Sequence, residues 1–149
     1  INMKKRGILN AELICELTKL RHLDSLVICD IGFPIPKGAK VVDVSLVAGI
    51  PSFAQTLKAI LNEMIFEEYV IFDFMKDYNQ ENYNLVKTLL IKQKAREVPM
   101  DDFIEIVNDV KLFIRTGETR PASNILLVSA SGVPEISDEF DVICEDKNS

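Results

Sequence analysis

The sequence predicts an α/β domain with helices on both faces of a mostly parallel central sheet, a three-layer α/β/α arrangement. The chain has 149 residues, the size of one typical domain. Short apolar runs typical of buried strands alternate with segments whose apolar residues recur at helical spacing. Alternation of this kind indicates parallel strands joined by crossover helices. The sequence contains no internal repeat.

The first half of the chain predicts two helices, one clear strand and one long loop. Asn10 is a good N-cap for a helix over 11–21. The apolar run Ser25–Cys29 (SLVIC) predicts a buried strand that ends at Asp30. Two prolines and two glycines make 32–38 (GFPIPKG) an irregular loop. A short strand within 41–46 and a second helix over 52–65, with Pro51 at its first turn, complete this half.

The second half alternates in the same way. The run 69–74 (YVIFDF) predicts a second core strand, and Asn79 caps a third helix. A weaker strand is expected before a fourth helix over 100–113, which Asp101 and Asp102 open with favourable charges. A turn over 116–118 leads to a third core strand over 124–128 (NILLV).

The charge of the chain is unevenly placed. The formal net charge is −6, from 23 acidic and 17 basic residues, but six acidic residues and one lysine fall within 134–149. We therefore expect a nearly neutral domain over 3–133 and an acidic C-terminal extension over 134–149. An acidic chain without clustered Lys and Arg is a poor nucleic-acid binder. The extension is interpreted as a mobile, solubilising tail, with an added strand or contact from 140–144 as the alternative.

The cysteines indicate a reducing compartment. Three cysteines without short spacings do not form a disulfide framework, so we expect Cys15 and Cys29 to be small buried apolar residues of a cytoplasmic protein. A single histidine and no CxxC pair argue against a structural zinc site. No window of about 20 apolar residues predicts a membrane span, and no signal peptide is expected.

The candidate functional residues follow the predicted strands. Ligands of open parallel sheets bind beyond the carboxyl ends of the strands, where Asp30 and the 32–38 loop lie. No dinucleotide, P-loop or nucleophile-elbow motif is present. His22 is either a helix C-cap that interacts with the helix dipole or a proton-transfer group, because histidine titrates near neutrality. Asp30 is equally a turn cap or a ligand-binding carboxylate. Without further information, the loop would shape a small-molecule pocket of an unassigned α/β protein.

These residues occur in an order that resembles the D-ribose pyranase family, relatives of L-fucose mutarotase. The matching pieces run over about 3–128 and are modest singly but specific in order and spacing. They are 3–10, His22-Leu23-Asp24, 26–36 (LVICDIGFPIP), 49–53 (GIPSF), 62–64 (NEM), 114–118 (IRTGE), Pro121 and Asn124-Ile125. The pattern Asp-x-Gly-x-Pro-Ile-Pro is closer to the ribose branch.

The resemblance implies interconversion of sugar ring forms, pyranose to furanose with anomer exchange, without cofactor or metal. It implies that His22 is the proton donor and that Asp30 holds sugar hydroxyls. It also implies that Asn124 closes the site, that the C-terminal piece meets the pocket of a neighbouring subunit, and that the protein is a homo-oligomer, a decamer or an octamer. The positions Met100 and Ala122 fall in the same substrate-binding set.

Two positions depart from the family pattern. Met100 stands where the family usually has a second histidine, and Ala122 stands where it usually has a tyrosine. A polar ring partner and an aromatic surface for the sugar are thus expected to be missing. The main hypothesis is an active sugar mutarotase or pyranase. The alternative is a catalytically weakened sugar-binding module associated with sugar uptake.

Overall fold

The computed structural model describes residues 3–132 and Phe140. Six strands and five α-helices alternate along the chain. They are α1 Ala11–Lys19, β1 Ser25–Cys29, β2 Val41–Asp43, α2 Phe53–Leu61, β3 Phe66–Phe72, α3 Met75–Tyr78, α4 Gln80–Leu89, β4 Lys94–Val98, α5 Met100–Ile106, β5 Leu112–Arg115 and β6 Ile125–Ser129. The predicted α/β class is confirmed.

The strands form one sheet in the order β2-β5-β1-β6-β3-β4. β1 pairs in parallel with β5, β5 with β2, and β3 with β4. β6 lies between β1 and β3 and runs antiparallel to both. Five strands therefore point the same way, and the start of β6 lies at the edge where the other five end.

Both faces of the sheet are covered. In β1 the four consecutive residues from Leu26 to Cys29 are completely buried. Because successive strand residues point to opposite faces, this run requires packing on both sides. α2 contacts β1 and α5 contacts β3. On one face Phe103 of α5 lies edge-on to Phe72 of β3, with ring centroids 4.7 Å apart. The predicted three-layer arrangement is thus present.

The helix starts follow the predicted caps. The Asn10 side chain accepts a hydrogen bond from the Leu13 amide, and Asn79 does the same for Asn82 at the start of α4. Ser52 and Gln55 form a capping box at α2. Both predicted helices of the first half end earlier than expected, at Lys19 and Leu61.

The predicted helix over 100–113 is wrong in its second half. α5 ends at Ile106, a 3₁₀ turn follows over Val107–Asp109, and Leu112–Arg115 is strand β5. The apolar residues at helical spacing from Phe103 to Ile114 are divided among α5, the 3₁₀ turn, the link that follows it and β5. β5 hydrogen-bonds to β1 on one side and β2 on the other, and this pairing overrides the local periodicity.

Of the two cysteines that we expected to be buried, Cys29 is buried and Cys15 is not. Cys15 is exposed, on the outer side of α1. Cys29 is buried, and desolvation, with a smaller contribution from the Asp30 charge, raises the pKa of its thiol to about 12. Most of the 134–149 extension lies outside the described residues, and Phe140 is exposed. None of the helices over 3–132 is long and apolar enough to cross a membrane.

Candidate functional site

A cavity of about 440 Å³ opens at the sheet edge where the parallel strands end. The start of β6 and the predicted loop after β1 both border it. Its lining residues are Asp30, Ile31, Gly32, Phe33, Pro34, Phe72, Phe74, Tyr78, Met100, Ile104, Glu118, Thr119, Arg120, Pro121, Ala122 and Asn124. The volume lies within the usual range for small-molecule pockets.

Asp30 and Asn124 are paired in this cavity. The Asn124 side chain accepts the Asp30 amide at 2.9 Å and donates its Nδ2 to the Asp30 carboxylate at 3.2 Å. The Gly32 amide also donates to that carboxylate, at 3.1 Å. Burial raises the pKa of Asp30, and these hydrogen bonds oppose the rise. The result is a buried carboxylate, held in a fixed orientation, that can accept hydrogen bonds from ligand hydroxyls.

Glu118 is a second buried carboxylate at the cavity, and sequence reasoning missed it. One oxygen accepts the Phe53 amide at the start of α2, at 3.3 Å. The other accepts the amides of Thr119 and Arg120, at 3.1 and 3.3 Å. Glu118 therefore fixes the chain segment that forms one side of the cavity. Its place in a turn gave no sign in the sequence that it would be buried.

A cluster of buried amides and a hydroxyl continues this support. Asn79 donates to the Ser123 hydroxyl at 2.7 Å and to the Pro121 carbonyl at 3.2 Å. Asn82 donates to the same Ser123 hydroxyl at 3.1 Å. The segment that leads into Asn124 is thus tied to the start of α4.

Met100 and Ala122, the two positions that depart from the family pattern, both line the cavity, and the wall near them is largely apolar. Ala122 is buried with a φ of 59°, a left-handed conformation that is uncommon for residues other than glycine. The wall also contains Phe72, Phe74 and Tyr78, which we call the aromatic wall. Aromatic side chains therefore line the cavity, although Ala122 itself supplies none. The apolar residues of the run 69–74 were expected to be core, and the end of this run lies at the sheet edge where the cavity opens.

His22 does not join this cavity. It is exposed in the turn between α1 and β1, at the opposite end of β1 from Asp30. Six residues of extended chain separate Asp24 from Asp30, about 20 Å. His22 borders a different depression of about 310 Å³, with Glu63, Met64 and the chain after β6. Within one chain, the predicted proton donor and the predicted sugar-binding carboxylate are therefore far apart.

No cluster of three or more His, Cys, Asp or Glu side chains suited to a metal ion occurs in the part of the chain that the structure describes. The polar side chains that line the cavity are two carboxylates, one amide, two hydroxyls and one guanidinium, those of Asp30, Glu118, Asn124, Tyr78, Thr119 and Arg120. This set can bind hydroxyls and can accept or orient protons.

Named proteins are similar in sequence to this chain over most of its length. It is 40% identical over 127 residues to a D-ribose pyranase of Geobacillus thermodenitrificans, covering 85% of this chain and 96% of the relative. It is 38% identical over 125 residues to the D-ribose pyranase of Bacillus subtilis, covering 84% of this chain and 95% of the relative.

Solved structures agree in fold. The structure of Bacillus subtilis RbsD complexed with D-ribose matches with a TM-score of 0.82 and 37% identity, over 86% of this chain and 98% of that one. The fucose mutarotase of Streptococcus pneumoniae in complex with L-fucose shares the fold, with a TM-score of 0.66 and 20% identity over 82% of this chain and 93% of that one. The model of the RbsD / FucU transport protein family matches residues 3–134, and the chain belongs to this family.

Proposed function

We propose that this protein interconverts the ring forms of D-ribose or a related monosaccharide, exchanging pyranose, furanose and anomers by proton transfer. The observation that carries the proposal is the buried Asp30–Asn124 pair at the floor of a cavity of small-molecule size. The D-ribose pyranases that share about 40% of the sequence support an isomerase rather than a binding module alone.

The reaction requires only balanced proton movements. As the bond between the anomeric carbon and the ring oxygen breaks, the ring oxygen gains a proton and the anomeric hydroxyl loses one. Attack by a different hydroxyl on the resulting aldehyde closes the new ring, and the attacking hydroxyl loses its proton while the carbonyl oxygen gains one. A positioned group that gives and takes protons near neutral pH accelerates both steps. Asp30 and Asn124 would hold the remaining hydroxyls during the exchange.

The proton donor in this proposal is His22 of a neighbouring subunit. His22 and Asp30 lie at opposite ends of β1, so one chain does not bring both to the same sugar. A homo-oligomer, a decamer or an octamer, would place an exposed His22 at the mouth of the next subunit's cavity. We also propose a reducing compartment, the cytoplasm, because Cys15 is an exposed free thiol.

Saturation-transfer NMR on D-ribose and related pentoses and hexoses tests the activity directly. The protein should increase exchange between sugar forms, and Asp30→Asn should reduce that effect roughly ten- to hundredfold, as expected for losing a charged hydrogen-bond acceptor. Asp73→Asn is the matched control, because Asp73 follows β3 at the same sheet edge but is exposed. Equal exchange rates for the wild type and His22→Ala would contradict the proposed mechanism.

Calorimetry separates the isomerase from the sugar-binding module. Met100 and Ala122, which stand where the family usually has a histidine and a tyrosine, motivate the second function. Sugar binding without accelerated exchange would establish the module. An absence of sugar binding at millimolar concentrations would reject both functions.

A further inference from the structure

The aromatic wall leads from the core to the open side of the cavity. The rings of Phe72 and Phe74 stack with centroids 4.8 Å apart and an angle of 13° between their planes. The Tyr78 ring stands edge-on to Phe74 at 5.7 Å. Phe72 is 3% exposed, whereas Tyr78 is 69% exposed although it borders the cavity. The innermost ring is therefore fixed by the core and the outermost offers a free aromatic surface.

The position of Tyr78 relative to the polar floor is also fixed. Tyr78 is the last residue of α3, and Asn79 follows it directly. The buried Asn79 amide is hydrogen-bonded to Ser123 and Pro121, which lie one and three residues before Asn124 in the chain. The aromatic wall and the Asp30–Asn124 pair are thus joined by short, buried contacts. A ligand held by Asp30 would have this wall beside it.

We propose that Tyr78, backed by Phe74, is the surface on which the sugar ring stacks in this protein. This inference rests on the proposed function. A sugar ring has a face of C–H groups, and the negative face of an aromatic ring attracts such positive edges besides excluding water from them. On the Asn124 side, Ala122 is too small to serve this purpose. The aromatic contact has therefore moved from the segment before β6 to the helix after β3, and it favours sugars with an uninterrupted C–H face.

Two substitutions distinguish ring stacking from other roles of Tyr78. Tyr78→Leu keeps apolar bulk but removes the ring, and it should weaken D-ribose binding roughly three- to tenfold by calorimetry. Tyr78→Phe removes only the hydroxyl and should leave affinity within about twofold of the wild type. Ile91→Ala is the control for a change at an exposed apolar residue, because Ile91 is 79% exposed and lies outside the cavity.

NMR supplies a readout specific to the ring. Protons on the stacked face of bound ribose should shift upfield and receive the strongest saturation from the aromatic region, and both effects should disappear in Tyr78→Leu. Unchanged affinity and unchanged sugar shifts in Tyr78→Leu would overturn the inference, and loss of binding in Asp30→Asn would show that the proposed function survives. An equal loss in Tyr78→Phe and Tyr78→Leu would assign the effect to the hydroxyl and overturn stacking. A wild type that binds no sugar would overturn both.

Discussion

Asp30 carries a buried carboxyl that is costly to ionise. It is buried beside Asn124, and desolvation raises the pKa of its carboxyl above the ordinary range for aspartate. Because the folded protein binds this proton more tightly than the unfolded chain, the contribution of Asp30 to stability falls as pH rises from the unfolded pKa through the folded pKa. Above that window the loss is complete and constant.

The direction of this pKa shift predicts the behaviour of Asp30→Asn, because asparagine has no charge to bury. The free energy of unfolding of the variant, relative to the wild type, should increase as pH rises through the pKa of Asp30 and then stay level. Urea unfolding at a series of pH values measures the difference. Asp73→Asn, at an exposed position, provides the comparison. A difference between wild type and Asp30→Asn that does not change with pH would contradict the raised pKa.

Glu118 is the residue that most directly supports the cavity. Its two oxygens accept the amides of Phe53, Thr119 and Arg120. Glu118→Gln replaces one acceptor oxygen with an NH₂ group that faces N–H donors. We expect a loss of about 1–3 kcal/mol in the free energy of unfolding, the typical cost of unsatisfied buried polar groups.

The same substitution should also weaken sugar binding, because the segment held by Glu118 lines the cavity. Urea unfolding and calorimetry measure the two effects. Glu97→Gln is the control, since Glu97 forms an ion pair with Lys87 outside the cavity and such pairs near the surface contribute little. A Glu118→Gln variant as stable as the wild type would show that its amide contacts are dispensable.

At the scale of elements, the spacing of apolar residues predicted whether a segment is a helix or a strand better than it predicted where the element begins and ends. The strands with unbroken apolar runs, β1 and β6, were predicted nearly at their observed bounds. β5 was missed because its residues continue the helical spacing of α5, and only its place between β1 and β2 determines its conformation. The direction of β6 follows from long-range pairing, which an apolar run does not encode.

The turn after β5 depends on a close backbone approach at Gly117. A Cβ atom there would lie 2.6 Å from the Ile50 carbonyl oxygen and 2.7 Å from that of Val47. Both contacts are with backbone, so relief requires the 47–50 segment to move. Gly117→Ala should cost about 1–3 kcal/mol of stability, as typical overpacking does, and urea unfolding measures it.

Gly38→Ala is the matched control for the steric part of this prediction, because nothing lies within 4 Å of a Cβ at that glycine. Gly38 has a φ of 82°, so its substitution carries backbone strain alone. If Gly117→Ala proves no more harmful than Gly38→Ala, the close approach is not a constraint on the fold.

At the scale of the whole molecule, the structure brings together four of the five residues that the sequence proposed for a site. Asp30, Met100, Ala122 and Asn124 meet in one cavity because they lie at strand ends on a shared sheet edge. Glu118 and the aromatic wall were missed, since their burial and orientation depend on contacts between elements distant in sequence. His22 was predicted as part of the same site, and the site assignment itself remains a prediction. Because His22 and Asp30 are far apart within one chain, a site that contains both requires two subunits.

A shared site predicts complementation between two inactive variants. His22→Ala keeps the Asp30 cavity, and Asp30→Asn keeps His22. In a closed ring, each subunit would contribute Asp30 to one site and His22 to the next. A site in a mixed oligomer is then intact only where a His22→Ala subunit supplies Asp30 and an Asp30→Asn subunit supplies His22. Random mixing should leave about one quarter of the sites intact. Co-expression with two different tags isolates such oligomers, and NMR exchange on D-ribose measures their activity. Oligomers of either variant alone are the controls. Mixed oligomers as inactive as these controls would show that Asp30 and His22 do not serve one shared site.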